Sequence, residues 1–376
     1  MFNISKYAIP NTETEFSRIV EAGTDLAKIA MNSRYSENNS QIINLGTKYN
    51  VATDINYAKA NKEYNEDLYK YCLKTSPIRD IGLDVNNKAD VVQMFNDDSF
   101  LKKFFAVQTA ILNTINSDNE VEEAIALANV SNVTTGDSAA FEIESKSLFK
   151  VQDHSYDNNV SDEQKMFKSS IYVTPRLKAA KISMDVQQAA MLNYDFGKQI
   201  AKIAMSFRTQ MYNDIIDIIY TVANVSATPF YKASFAKLTY VEVVDQLKAT
   251  NSAGVKAYGT RLAFVNMSDG ITSGFTTQDE VNRTGFIANL YATPYALIDQ
   301  AVDSTTSSYT TQVPNNRILL LSDTGDKPVK LVREDAMRVL VSDGTQSSIY
   351  KKTYTLIDSW KAALATQAHY GIIVVG

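Results

Sequence analysis

Apolar residues recur with a helical period through the first third of the chain. Phe16, Ile19, Val20, Gly23 and Ala27 share one helix face. Ahead of them, Thr12 and Glu15 have the spacing of a capping box, which satisfies free amides at a helix start. A second helix is expected from about Asp54 to Cys72, with Tyr57, Tyr64, Leu68 and Tyr71 along one face and Pro77 shortly beyond as a stop. A third starts near Asp98 and carries Leu101, Phe104, Phe105, Gln108, Ile111, Leu112 and Ile115. Such stripes are core faces, and the tyrosines in them read as packing rather than as a platform for stacked bases.

From Ser131 the period changes. Val130 to Ala139 is small and polar, with Gly136-Asp137 as a turn signal. Phe141, Ile143, Phe149 and Val151 then alternate with Glu142, Glu144, Lys150 and Gln152. Beyond a polar tip from Asp153 to Glu163, Phe167, Ile171 and Val173 alternate with Lys168 and Tyr172. Period two is the strand signature, so residues 140 to 174 read as a two-stranded ribbon whose arms would each reach roughly 35 Å. Its middle is polar on both faces, at Ser145, Lys146, Ser147, Ser169 and Ser170, and offers no core of its own. An isolated hairpin is marginal in water and its open edges invite pairing. The ribbon therefore lies either against another surface, such as a neighbouring subunit, or back on its own domain.

Small and basic residues follow from Pro175 to Met184, and Ser183 is placed to cap a short helix from Asp185 to Leu192. The longest apolar stripe comes next. Phe196, Ile200, Ile203, Phe207, Met211, Ile215 and Ile218 step by three or four, which predicts a helix from about Tyr194 to Val222, roughly 43 Å long. Thr239 and Glu242 form a second capping box, opening a helix through Val244 and Leu247. Strands are expected at Leu262 to Asn266, Phe286 to Leu290, Arg317 to Leu321, Val329 to Arg333, Arg338 to Val341, Ile349 to Ile357 and Tyr370 to Val375. Asp303 to Thr311 reads as a Ser/Thr-rich loop, and no internal repeat is visible. The class is α+β.

Composition narrows the chemistry. Of 376 residues, one is cysteine (Cys72) and two are histidine (His154, His369), which excludes a disulfide framework and a multi-cysteine zinc site. A net charge of −5 offers no general attraction for nucleic acid, and the pairs Lys102-Lys103 and Lys351-Lys352 are isolated. Gly254 to Arg261 has the glycines of a phosphate-binding loop, but Thr260 stands where its lysine is required, so the segment reads as a flexible turn. No nucleophile elbow and no zinc-protease helix motif occurs. Cys72 sits on an apolar helix face as a small buried residue, and Asp97-Asp98, Glu122-Glu123 and Glu334-Asp335 suit helix starts, solvated faces and turns. No catalytic residue, cofactor site or metal site is assigned. Met1 to Lys6 lacks the apolar stretch of a signal peptide, and Ile215 to Val225, interrupted by Asp217, is too short to cross a bilayer. No membrane partner is expected.

The order of elements carries more than any motif. A ribbon ending in Met166-Phe167-Lys168 and Ile171-Tyr172-Val173-Thr174-Pro175 leads into Lys178-Ala179-Ala180-Lys181-Ile182-Ser183 and the long helix after Tyr194. This succession resembles the HK97-like major capsid proteins of tailed bacteriophages, over roughly residues 140 to 376. The resemblance implies residues 136–180 as the extended E-loop, 181–237 as the spine-helix part of a peripheral domain, 238–325 as an axial domain and 326–376 as closing strands of the peripheral domain. Residues 1–135 would be a helical arm or added region. With Met1 at its start, the chain is expected to keep that region rather than shed it as a scaffold.

By the same resemblance the chain would be a non-enzymatic structural protein. It would assemble with copies of itself into hexamers and pentamers of an icosahedral head in the host cytoplasm, enclosing double-stranded DNA without reading its sequence. Portal and decoration proteins would be further partners. Phe141, Ile143, Phe149, His154, Tyr156, Phe167, Ile171 and Tyr172 are the ribbon residues expected at subunit contacts. Two alternatives stand beside this reading, an encapsulin-like compartment shell and a cytosolic enzyme with an unrecognised site. Scarce cysteine and histidine beside abundant tyrosine and phenylalanine suit a protein whose work lies in its interfaces.

Overall fold

In a computed structural model of the chain, the structure describes residues 12–36, 54–118, 127–144, 165, 168–192, 194–222, 230–269, 289–290, 292–298, 300, 311, 313–323, 327–334, 337–341, 351–365 and 369–375. The fold is α+β and divides into two compact units. Unit 1 holds residues up to Glu120, Arg176–Arg208 and Glu334–Ser359; unit 2 holds Val121–Pro175, Thr209–Arg333 and the residues from Trp360 onward.

Unit 1 begins with helices α1 (Thr12–Ser36), α2 (Asp54–Lys74), α3 (Lys88–Met94) and α4 (Asp98–Asp118). The apolar stripes on α2 and α4 are buried as their period requires: Tyr64, Leu68 and Tyr71 on one, Phe104, Phe105, Ile111 and Ile115 on the other. Gly23 lets α1 approach closely, since a Cβ there would strike Ile111 and the Tyr64 hydroxyl. Asp97 caps α4 by accepting from the Phe100 amide at 2.8 Å. Helix α3, with seven residues, was too short to leave a stripe in the sequence; Asn87 caps it.

The rest of unit 1 is strand β4 (Arg176–Asp185), helix α5 (Val186–Ala190), the first part of helix α6 (Phe196–Val222), strand β11 (Arg338–Val341) and most of β12 (Lys351–Leu364). Both β4 and β11 pair with β12. Ser183 lies within β4 and does not cap α5; Asp185 does, accepting from the Gln187 amide. α6 starts two residues later than its stripe suggested, because Asp195 turns its carboxylate onto the Lys198 amide at 3.0 Å. Helices α1 to α4 share one compact unit with β4, α5, the start of α6, β11 and β12.

Unit 2 contains two clusters. In the larger, strands β5 (Tyr231–Lys232), β6 (Val255–Gly259), β7 (Asn289–Leu290), β8 (Thr293–Leu297), β9 (Arg317–Ser322) and β13 (Gly371–Val374) form a sheet in the order β5-β13-β9-β6-β8-β7. Helices α7 (Lys237–Asn251) and α8 (Arg261–Asp269) share its core through Tyr240, Val244, Leu247, Phe264 and Met267. β6 and β8 run parallel, which requires a crossover, and α8 lies in it.

Three expectations are corrected in this region. Leu262 to Asn266 is helix, not strand: Thr260 accepts from the Ala263 amide at 3.2 Å, and Ala263, Phe264 and Met267 bury one helical face. A short apolar run has no period long enough to separate the two. The supposed turn from Gly254 to Arg261 contains β6, which alternates with Val255, Ala257 and Gly259 buried. α7 begins at Lys237 with no side-chain cap, so Thr239 and Glu242 are already inside it. The strand expected from Tyr370 to Val375 is β13, which pairs antiparallel with β9 in the larger sheet.

The smaller cluster joins strands β1 (Ala128–Val133), β2 (Ala139–Glu144), β3 (Lys168–Val173) and β10 (Val329–Glu334), with the end of β12. β1, in a stretch read as small and polar, ends at a turn where Gly136 has φ +89°, a conformation glycine adopts without a Cβ penalty. The loop expected from Asp303 to Thr311 and the start of the Ile349 to Ile357 strand lie outside the described residues, apart from Thr311 and the residues from Lys351 onward.

Candidate assembly surfaces

The base of the ribbon is an antiparallel pair, β2 on β3, with Ala139 opposite Val173 and Glu144 opposite Lys168. Alternation gives the pair two different faces. On one, Ala139, Phe141, Ile171 and Val173 pack with Val133, Val332 and Ala363. The other carries Ala140, Glu142, Ser170 and Tyr172, all exposed, with Tyr172 at 70%. The described base of the ribbon is therefore seated on its own unit. Phe141 and Ile171 belong to that seat, half-buried.

Lys330 holds the seat from below. Its side chain is 4% exposed, and its ammonium sits 5.9 Å from the Phe141 ring centre while donating to the Lys327 carbonyl at 2.9 Å. A cation over an aromatic face gains from the ring quadrupole, more so when desolvated. Desolvation first, and then the charge of Lys330, lowers the Lys327 amine below its ordinary range.

Of the remaining ribbon residues expected at contacts, Phe149, His154, Tyr156 and Phe167 lie outside the described residues, as does the side chain of Ile143. The described strands stop at Glu144 and resume at Lys168.

Unit 1 carries a second open surface. Along β4, Leu177, Ala179, Lys181 and Ser183 are exposed, whereas Met184 and the alternate positions before it turn inward. In β11, Arg338 and Leu340 are exposed; Arg338 pairs with Ile357 and Leu340 with Thr355 on β12, both half-buried. Leu177 at 70% and Leu340 at 57% are large apolar groups in water, and Lys181, Arg338 and Lys351 make the same strands basic. The sequence reading missed this surface, because isolated leucines within basic strands leave no recognisable period.

Cys72 and His369, both weighed for chemistry, have structural settings. Cys72 is fully buried, and desolvation pushes its thiol well above the ordinary range, which leaves it inert. The His369 amide donates to Asn251 Oδ1 at 2.9 Å, and Asn251 Nδ2 donates back to the His369 carbonyl at 2.8 Å. No grouping of acids, histidines or cysteine suited to a metal ion occurs among the described residues. Among the same residues no helix is long and apolar enough to cross a membrane.

No family model matches the chain, and neither does any curated protein. Solved structures do. The chain is similar to the capsid of the cyanophage P-SCSP1u, with 11% identity, 66% of this chain and 86% of that chain covered, and a TM-score of 0.45. It is similar to the capsid of a native GTA particle, with 14% identity, 68% and 91% covered, and a TM-score of 0.47. A virus-like particle from Pyrococcus furiosus gives 9% identity, 71% and 98% covered, and a TM-score of 0.40. All three are capsids or particles. At such low identity and modest overlap, the chain's own elements carry the functional reading.

Proposed function

We propose that the chain is a shell-forming structural protein with an HK97-like fold. The observation that carries this reading is the ribbon base: β2 and β3 are seated on one face by Phe141 and Ile171, and on the other they expose Ala140, Glu142, Ser170 and Tyr172. A two-stranded ribbon with one open face is stabilised by a further surface to lie on. A second copy supplies one without a further gene product, and such heterologous contacts close into rings when the rotation permits.

Charge supports the same arrangement. From Asp153 to Glu163 the ribbon tip carries Asp153, Asp157, Asp162 and Glu163 with no lysine or arginine. The exposed positions of β4, β11 and β12 carry Lys181, Arg338 and Lys351. Opposite charges on separate segments of one chain favour contact between copies and set its register more than its strength. Ile143, Phe149, His154, Tyr156, Phe167 and Tyr172 are the ribbon contacts in this reading. α6 is the spine, the sheet containing β9 and β13 belongs to an axial domain, and hexamers and pentamers enclose double-stranded DNA in a phage head.

Negative-stain microscopy of the purified chain is the first test, with closed shells expected. Deleting Asp153 to Glu163 should leave a folded subunit by circular dichroism that no longer closes shells. Normal shells from the deletion variant would remove the ribbon from assembly. Nuclease-protected DNA inside particles distinguishes a genome container from an enzyme compartment.

A further inference from the structure

The role of the helical N-terminal region is written in one row of α2. Tyr57, Asn61, Asn65 and Tyr69 recur every four residues, so they line one ridge of the helix. All four donate to the same short segment. Tyr57 Oη donates to Asp195 Oδ1 at 2.7 Å, and Asn61 and Asn65 Nδ2 both donate to the Tyr194 carbonyl, at 2.9 and 2.7 Å. Tyr69 Oη donates to the Ala189 carbonyl at 3.3 Å.

That segment is the turn from which α6 departs, and it is under strain. Leu192 has φ +55°, a left-handed conformation costing a residue with a Cβ about 1–2 kcal/mol. The Tyr194 carbonyl has both acceptor positions filled by buried amides. One oxygen of Asp195 serves two purposes, capping α6 through the Lys198 amide and binding Tyr57. Immediately beyond, Phe196 packs its ring 5.3 Å from Tyr64 and 5.7 Å from Phe104. Gly197 allows the approach, since a Cβ there would lie 2.6 Å from Tyr57 Oη and 2.9 Å from Leu26 Cγ.

We infer that α2 is a positioning clamp for the spine helix: the row Tyr57, Asn61, Asn65 and Tyr69 holds Ala189 at the end of α5 and Tyr194 and Asp195 beyond the strained Leu192, and so fixes where α6 begins. Burying Asn61, Asn65 and Tyr69 on a helix face is costly, and the donors of all three, with that of half-buried Tyr57, are met by Ala189, Tyr194 and Asp195. The N-terminal helices are then a working part of the subunit rather than a removable arm. The clamp itself rests on contacts within unit 1; only its effect on particle geometry rests on the shell reading.

Hydrogen–deuterium exchange on the intact chain tests it. Asn61→Ala with Asn65→Ala should raise exchange of the amides from Met191 to Gln199 at least tenfold, with α7 and β9 unchanged. Tyr57→Phe keeps the ring and removes one donor, so it should raise exchange at Lys198 and Gln199 by a smaller factor; it also serves if the double variant fails to fold. Unchanged exchange over residues 191–199, or a rise shared equally by every element, would overturn the clamp. If shells form, clamp variants should give a broader range of particle diameters. If the unaltered chain forms no shells, the shell reading fails while the exchange result stands.

Discussion

The indole Nε1 of Trp360 donates to Asp214 Oδ2 at 2.8 Å, joining the end of β12 to the middle of α6. Trp360 is 1% exposed, and Asp214 also accepts from Gln210 Nε2 at 3.0 Å through its other oxygen. A buried indole keeps its apolar body in the core only because its N–H has this partner. As the chain's single tryptophan, it reports on this contact alone.

Replacing Trp360 with Phe should therefore destabilise the chain by about 1–3 kcal/mol, from one charge-assisted hydrogen bond and lost ring area. Urea unfolding followed by circular dichroism measures it. In the unaltered chain, emission should be blue-shifted when folded and move red in the same transition. A variant with unchanged midpoint would show that the bond carries no net stability.

Alkali should unfold the protein through its buried phenols. Burial pushes the Tyr354 phenol up to about 12, with hydrogen bonds from Gln108, Tyr194 and Gln199 opposing the rise. Burial also raises Tyr57, Tyr64, Tyr69 and Tyr194. A folded value above the unfolded one means the native state holds its proton longer. The stability is whole below pH 10 and is lost as pH rises toward 12, by roughly 2–3 kcal/mol for Tyr354 alone. The melting temperature should be flat to pH 10 and fall beyond it. Phenolate absorbance should lag behind that of free tyrosine until the chain unfolds.

Charge reversal on the basic strands separates folding from assembly. Lys181→Glu with Arg338→Glu alters exposed positions, so the melting temperature should stay within about 1–2 °C and stability within about 0.5 kcal/mol. Shell formation, followed by light scattering, should slow at least tenfold at low salt and lose its salt dependence, because attraction between unlike surfaces is screened. Assembly at the normal rate would place the acidic ribbon tip on some other surface.

The stripes of α1, α2, α4 and α6 could be read directly, because a long amphipathic helix repeats its apolar period enough times to exclude a strand. The antiparallel base of the ribbon was legible for the same reason, through alternation on both sides of a polar tip. Short elements were not. The five residues Leu262 to Asn266 are too few to show a period, and only the cap at Thr260 and the burial of adjacent Ala263 and Phe264 with Met267 decide for helix.

Partnership was the other gap. Nothing in the spacing of Phe141 and Ile171 says that Val332 and Lys330 lie beneath them, since those residues come from far along the chain. The row Tyr57, Asn61, Asn65 and Tyr69 was present in the sequence as polar residues on a helix face, but its meaning depends on Ala189, Tyr194 and Asp195. Local period and composition determined which segments are helix or ribbon and made interfaces the place to look for function. Tertiary structure decided which side chains meet, because hydrogen-bond partners and seats are set by contacts between distant segments that no local pattern encodes.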